Sequence, residues 1–187
     1  MGPVRGRRVL VLTRSKTTLP TTDPDAVGRY SGRGFPPYRF VPGQAPHPTR
    51  DPRGHSYGAA EVREDFDPDR WRECAAYLHG VDLFNAGFWW EAHEALEGLW
   101  ARLPEPSAPR SFLQGLIQLS AALLKRHMGH GDAARRLVAK ARETLSSVRG
   151  DYAGVAVDAL VDAVDGAAAD HTVEAPVIVL AGVDPPA

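Results

Sequence analysis

The run Trp89-Trp90-Glu91-Ala92-His93-Glu94-Ala95-Leu96-Glu97-Gly98-Leu99-Trp100 places one imidazole and several carboxylates between tryptophans. On a helix, His93 with Glu97 and Glu94 with Glu97 share a face, because residues three and four apart are neighbours there. An imidazole beside two carboxylates suits two kinds of chemistry. The groups can perturb one another's protonation, as an acid/base pair requires, or they can hold a divalent cation. The string His93-Glu94-Ala95-Leu96-Glu97 has Glu where the helical zinc-protease motif has its second His, so one zinc ligand of that motif is missing. A diiron carboxylate bundle needs Glu-x-x-His on each of two helices, and the chain has no such spacing.

Other residues are candidates to complete such a site. His47, His55 and His127 are possible further metal ligands, and Gln114 and Gln118, one turn apart in an otherwise apolar run, are possible polar partners. Trp90 and Trp100 are candidate ligand-binding surfaces. Arg50 and Arg53 can fork onto a carboxylate or phosphate. Each candidate has a plainer reading beside it. His93, Glu94 and Glu97 lie next to an apolar seam and are expected to be partly buried, as a polar network whose members satisfy one another. Arg50 and Arg53 are then expected to pair with Glu91 or Glu94 and pin the preceding segment to the helix.

The elements that must position these groups follow from periodicity. Asp67-Pro68 reads as a helix start, and Trp71, Ala75, Leu78, Val81 and Leu83/Phe84 continue at helical spacing to a stop near Asn85-Ala86-Gly87. Trp89, Ala92, Leu96, Leu99 and Leu103 form the 3-4-4 seam of a second helix, from about Phe88 to Leu103. Pro104 to Pro109 breaks it. The third helix, Arg110 to Met128, is apolar nearly all round and belongs in the middle of the packing. Gly129-His130-Gly131-Asp132 supplies a stop and an N-cap for a fourth helix, with Gly150 as its end. Val157, Leu160, Val161 and Val164 mark a fifth, whose Asp158, Asp162 and Asp165 face solvent. Gly98 and Gly115 sit inside helices, where each costs about 1 kcal/mol against Ala, so close approach of another backbone is expected at both.

The fold class expected is all-α: a compact bundle of about five helices in antiparallel hairpins, preceded by a long irregular Pro/Gly-rich arm. Residues 1–62 are the arm, 63–150 the helical core, and 151–187 an amphipathic helix plus an extended tail. The arm's prolines forbid helix, while Tyr30, Phe35, Tyr38, Phe40 and Tyr57 give it the means to dock. The first ~25 residues are expected to be disordered, as termini often are. The tail segment Ala175 to Leu180 is β-branched and extended, with Val9 to Leu12 as its only candidate strand partner.

Composition narrows the function. A formal net charge of -1 over 187 residues, 43% of them hydrophobic, argues for one folded unit and against a chain that coats nucleic acid or anionic membrane. Lys125, Arg126, Arg135, Arg136, Lys140 and Arg142 make only a modest basic face. Cys74, the single cysteine, excludes an internal disulfide or thiolate-rich metal site and reads as a core residue. No apolar stretch approaches the ~20 residues of a membrane span, and a cytoplasmic protein is expected.

The run Leu83 to Trp100, followed by Phe112-Leu113-Gln114-Gly115-Leu116-Ile117-Gln118-Leu119 and then Gly129 with Ala133 to Leu137, resembles the bacterial and plastid family catalogued as domain of unknown function 309. His130 stands where that family usually shows Asn. The resemblance implies a compact all-helical fold and brings no activity, cofactor or catalytic residue with it. Three functions therefore compete. The leading one is a noncatalytic module that binds a protein or small ligand, with homo-oligomerisation possible. The second is a metal-assisted or acid/base hydrolase using His93, Glu94 and Glu97, a divalent metal as its cofactor and the arm as a lid. The third is a nucleic-acid-associated factor using the basic face of the fourth helix.

Overall fold

Two short turns containing glycine fold the first four helices back on one another. After α1 (Ala75–Asn85), Gly87 at φ 77° lets its own N–H reach Phe84 O at 3.1 Å and the Phe88 N–H reach Leu83 O at 2.8 Å. The same paired bonds close α3 (Ala108–His127), where Gly129 at φ 78° bonds Arg126 O and His130 bonds Lys125 O, both at 2.9 Å. Such a cap satisfies carbonyls that a helix end would leave orphaned and turns the chain sharply. Thus α1 packs on α2 (Trp89–Trp100), and α3 packs on α4 (Gly131–Thr144). A computed structural model describes residues 28–60, 64–148 and 150–183 of the chain.

The centre of the molecule is α3, which packs against α2, α4 and α5 (Val157–Ala169). Its Phe112, Leu113, Leu116, Leu119 and Leu123 are fully buried, as expected of a helix apolar nearly all round. Ser107 caps it, its hydroxyl oxygen accepting the Arg110 N–H at 3.3 Å. Gly115 admits a close neighbour, but the neighbour is the Leu145 side chain and not a backbone: a Cβ built there would lie 2.3 Å from Leu145 Cγ. At Gly98 nothing lies within 4 Å of a built Cβ, so the expected close approach is absent.

The start of the first helix differs from the sequence reading. Asp67 makes a local turn, accepting the Asp69 N–H at 2.9 Å, and a short 3₁₀ turn (Trp71–Glu73) precedes α1. The orphan N–H groups of Ala75 and Ala76 are satisfied from outside the helix, by the Glu64 carboxylate at 2.6 and 2.9 Å. The acid there is worth more than a local cap, since it faces the positive end of the helix dipole. The fourth helix starts one residue before Asp132, with His130 in the cap position. It ends at Thr144, well short of Gly150, and a 3₁₀ turn (Leu145–Ser147) follows.

Between α4 and α5 the chain forms a minimal antiparallel hairpin, β1 (Asp151–Tyr152) with β2 (Val155–Ala156), which the all-helical expectation lacked. Along α5 the acidic residues are exposed, and Asp162 and Asp165 meet Arg142 of α4 at 2.9 and 3.2 Å. The C-terminal tail is held without a strand partner among the described residues. Asn85 supplies one with its side chain, donating to Ile178 O at 2.8 Å and accepting the Ile178 N–H at 2.6 Å. Val9 to Leu12 and the opening residues expected to be disordered lie outside the described residues.

The arm, irregular as its prolines dictate, lies on α1 and α2. Asp82, fully buried on α1, accepts the backbone N–H groups of Tyr30 and Ser31 at 2.7 and 2.9 Å and the Ser31 hydroxyl at 2.6 Å. Phe35 stacks on Phe88 with ring centroids 5.3 Å apart. Tyr57, 55% exposed, is the aromatic of the arm that does not dock. Among the described residues, no helix is long and apolar enough to cross a membrane.

Candidate functional site

The rotation of α2 decides which of its polar groups are available. Trp89, Ala92, Leu96 and Leu99 face the core and are buried. At about 100° per residue, Trp90, His93, Glu94 and Glu97 gather in one stripe beside and behind that seam. The stripe is at the surface: His93, Glu94 and Glu97 side chains are 29%, 41% and 48% exposed. The expected partial burial holds for His93 and is corrected for Glu94 and Glu97, which are exposed, because the apolar seam takes the whole inward arc and leaves Glu94 opposite to it.

Within the stripe the three candidate groups do meet. His93 Nδ1 lies 3.4 Å from Glu94 Oε1 and 3.9 Å from Glu97 Oε2, and one donor atom from each residue lies within 4.8 Å of the others. The Nδ1 atom itself is shielded from solvent and has no hydrogen-bond partner. The Glu94 contact lacks hydrogen-bond alignment, and the Glu97 contact is too long for a hydrogen bond. Among the described residues, neither Glu94 nor Glu97 has a Lys or Arg partner.

The buried acid of α2 is Glu91, on the other flank of the seam. Its Oε1 accepts the Phe40 N–H at 2.8 Å and meets His55 Nε2 at 3.1 Å. Both side chains of the His55–Glu91 pair are only 5% exposed. Ser56 Oγ, 2.8 Å from Nδ1, orients the imidazole from behind, and the Tyr38 ring packs against it edge-on at 4.7 Å. Burial pushes the Glu91 carboxyl above its ordinary pKa, opposed by the Phe40 N–H and by His55. Glu91 Oε2 is buried with no hydrogen-bond partner among the described residues.

The arm histidines thus go elsewhere than the stripe's carboxylates. His55 belongs to Glu91, and His47 packs against Trp90 and Phe40 with centroids at 5.3 and 5.0 Å. Phe40 also meets Trp90 edge-on at 5.1 Å, so two rings of the arm pack against the half-buried indole. The arm's partner for Glu91 is His55, and neither Arg50 nor Arg53 pairs with Glu91 or Glu94. Arg53 forks onto Asp51 at 2.9 and 3.1 Å, an exposed local pair that holds the Asp51 carboxyl down at about 2, and Arg50 is exposed.

The remaining candidates are dispersed. Trp100 carries the Arg110 guanidinium over its ring at 3.8 Å, and that cation also donates to Trp100 O and Leu103 O. Gln118 is buried with an unpartnered Oε1, and Gln114 is half-buried. His127 lies edge-on to Trp89 at 5.8 Å, its pKa lowered by burial and by the Arg39 and Arg126 cations. Cys74 is a buried thiol, pushed up to about 11 chiefly by burial. On the basic face, Arg142 is bridged to α5 and Arg135 pairs with Asp132.

Sequence reasoning missed Glu91 as a buried site and missed Asp82 altogether. Glu91 reads in sequence as an ordinary first-turn acid, and Asp82 as one polar residue in an apolar helix. Both are buried only because a distant segment lies across them. The one available signal was the arm's content of docking aromatics.

No curated protein matches the chain. Residues 77–137, running from α1 into α4 and including every residue of α2, match the model of a family described as "Domain of unknown function (DUF309)", so the helical core resembles that family over the elements that carry the stripe.

Proposed function

We propose that this chain is a noncatalytic helical binding module whose binding face is the outward stripe of α2, flanked by the arm. The observation that carries the reading is a pair of exposed carboxylates, Glu94 and Glu97, with no Lys or Arg partner among the described residues. They stand beside an indole, Trp90, that is held by Phe40 and His47. An immobilised aromatic next to unneutralised carboxylates is chemistry for a cationic group, met by charge on one side and by the ring face on the other. The occupant is accordingly a protein segment or small ligand bearing Lys- or Arg-like cations. The buried acids serve a different end, since Asp82 and Glu91 hold the arm in place. A reducing cytoplasm suits a chain with one thiol.

The test is a titration of ¹⁵N-labelled protein with a Lys/Arg-bearing peptide and, separately, with an acidic peptide of equal length. The Trp90 indole and the amides of 93–97 should shift with the first only, and Glu94→Gln with Glu97→Gln should remove the response. Equal responses to both peptides, or none at this face, would overturn the reading.

A second reading is hydrolysis, acid/base or metal-assisted, at His93, Glu94 and Glu97. It is favoured by one observation, the convergence of their donor atoms within 4.8 Å. Hydrolysis of model esters and phosphoesters by purified protein, lost in Glu94→Ala with the fold intact, is the result it requires.

A further inference from the structure

We infer that His93 Nδ1 and the Glu94 and Glu97 carboxylates together bind one divalent cation of the borderline class, such as Zn²⁺ or Mn²⁺. The inference goes beyond the reading of the α2 stripe as a face for cationic groups, since the ion takes the same two carboxylates in place of a Lys or Arg side chain.

Exposed carboxylates commonly carry no ion, so the argument turns on the imidazole. His93 Nδ1 is screened from solvent and has no hydrogen-bond partner among the described residues. A polar atom in that state usually has a partner in native proteins. Carboxylate oxygens of Glu94 and Glu97 lie 3.4 and 3.9 Å from this Nδ1. Two donors each ~2.0–2.2 Å from a shared cation, at a tetrahedral or octahedral angle, stand roughly 3–3.5 Å apart. The first separation already has that value; the second, and the carboxylate–carboxylate separation of up to 4.8 Å, close by rotation of the two exposed Glu side chains.

The charges agree with the distances. Two carboxylates with no Lys or Arg partner among the described residues sit on one helix face, a repulsive arrangement at that spacing that a dication would reverse. The donor set selects the metal. One nitrogen and two carboxylate oxygens suit Zn²⁺, Mn²⁺ or a neighbouring transition ion, whereas Ca²⁺ takes six to eight oxygens and Mg²⁺ keeps most of its water. Three protein ligands leave coordination positions free for water.

The full chain, freed of metal by chelation and dialysis, is titrated with Zn²⁺ and with Mn²⁺ by calorimetry, while imidazole NMR follows all seven histidines. One ion per chain is expected, with the His93 ring shifting in the pattern of Nδ1 coordination. His93→Ala and Glu97→Gln should each weaken binding at least about tenfold, with the far-ultraviolet spectrum and melting temperature retained. Binding should also weaken as pH falls, since every ligand must be deprotonated. No ion bound, or binding that survives both substitutions, or a shift at other histidines with His93 silent, would overturn the inference. Peptide recognition at the stripe with no ion bound would sink this inference and leave the binding-face reading standing; an ion bound through His93 with no peptide response would do the reverse.

Discussion

His55 Nε2 sits 3.1 Å from Glu91 Oε1, joining two side chains that are both 5% exposed and 36 residues apart in the chain. One comes from an arm without regular structure and the other from the first turn of α2. A buried pair of this kind contributes little beyond what two apolar residues would, but removing one partner strands the other in a low-dielectric site. Its effect is on where the arm lies.

His55→Ala should therefore cost about 3 kcal/mol in unfolding free energy, by leaving Glu91 with a single donor, Phe40 N–H, for a buried charge. Hydrogen exchange at residues 38–57 should rise well before that of α3. Equal protection of arm and core in the variant would show that other contacts fix the arm.

The same carboxyl gives stability a pH dependence. Burial raises its pKa in the folded state, so the native chain holds a proton that the unfolded chain has already released. On this group's account, stability is fully present below the unfolded value and is lost as pH rises through the raised one. Glu91→Gln removes the group, so the wild type should gain stability relative to that variant as pH falls from about 7 towards the ordinary carboxylate range near 4. Urea unfolding of both proteins across that range checks the sign.

Asp82 should be comparably costly to remove. It is fully buried and accepts three donors from Tyr30 and Ser31, all of which Asp82→Ala would leave unpaired. A loss of about 3 kcal/mol is expected, read by thermal unfolding, with Asp82→Asn intermediate because it keeps one acceptor.

The two intrahelical glycines should respond oppositely to alanine. Gly115→Ala drives a methyl into Leu145 Cγ and should destabilise by about 1–3 kcal/mol, whereas Gly98→Ala meets open space and should stabilise by up to about 1 kcal/mol. Melting temperatures of the two variants decide it.

Cys74 should resist thiol reagents at pH 8 in the folded protein and react at once in denaturant. Its thiol is buried and held at about 11, so almost no thiolate exists there to react. Rapid labelling of native protein would contradict the packing described around the 3₁₀ turn at Trp71–Glu73.

Much of the fold was legible in the residues because the signals are local. Gly87 and Gly129 mark turns where the chain needs positive φ, the 3-4-4 seam of α2 fixes its inward arc, and the apolar girth of α3 puts it at the centre. The meeting of His93, Glu94 and Glu97 was legible for the same reason, since helix geometry alone sets the distance between neighbours on one face.

Burial was not legible, and α2 shows why. Glu91 and Glu97 lie at similar angles, roughly 120°, on opposite sides of the same apolar seam. Nothing in the helix distinguishes them. The arm crosses one flank, bringing Phe40 N–H and His55 to Glu91, and leaves Glu97 in water. Asp82 and Asn85 under the tail have the same history: each meets a backbone supplied from far along the chain. The sequence by itself determined which residues share a helix face, because that depends on a repeat of 3.6. Which face is covered depended on contacts between segments distant in sequence, and only the tertiary structure decided it.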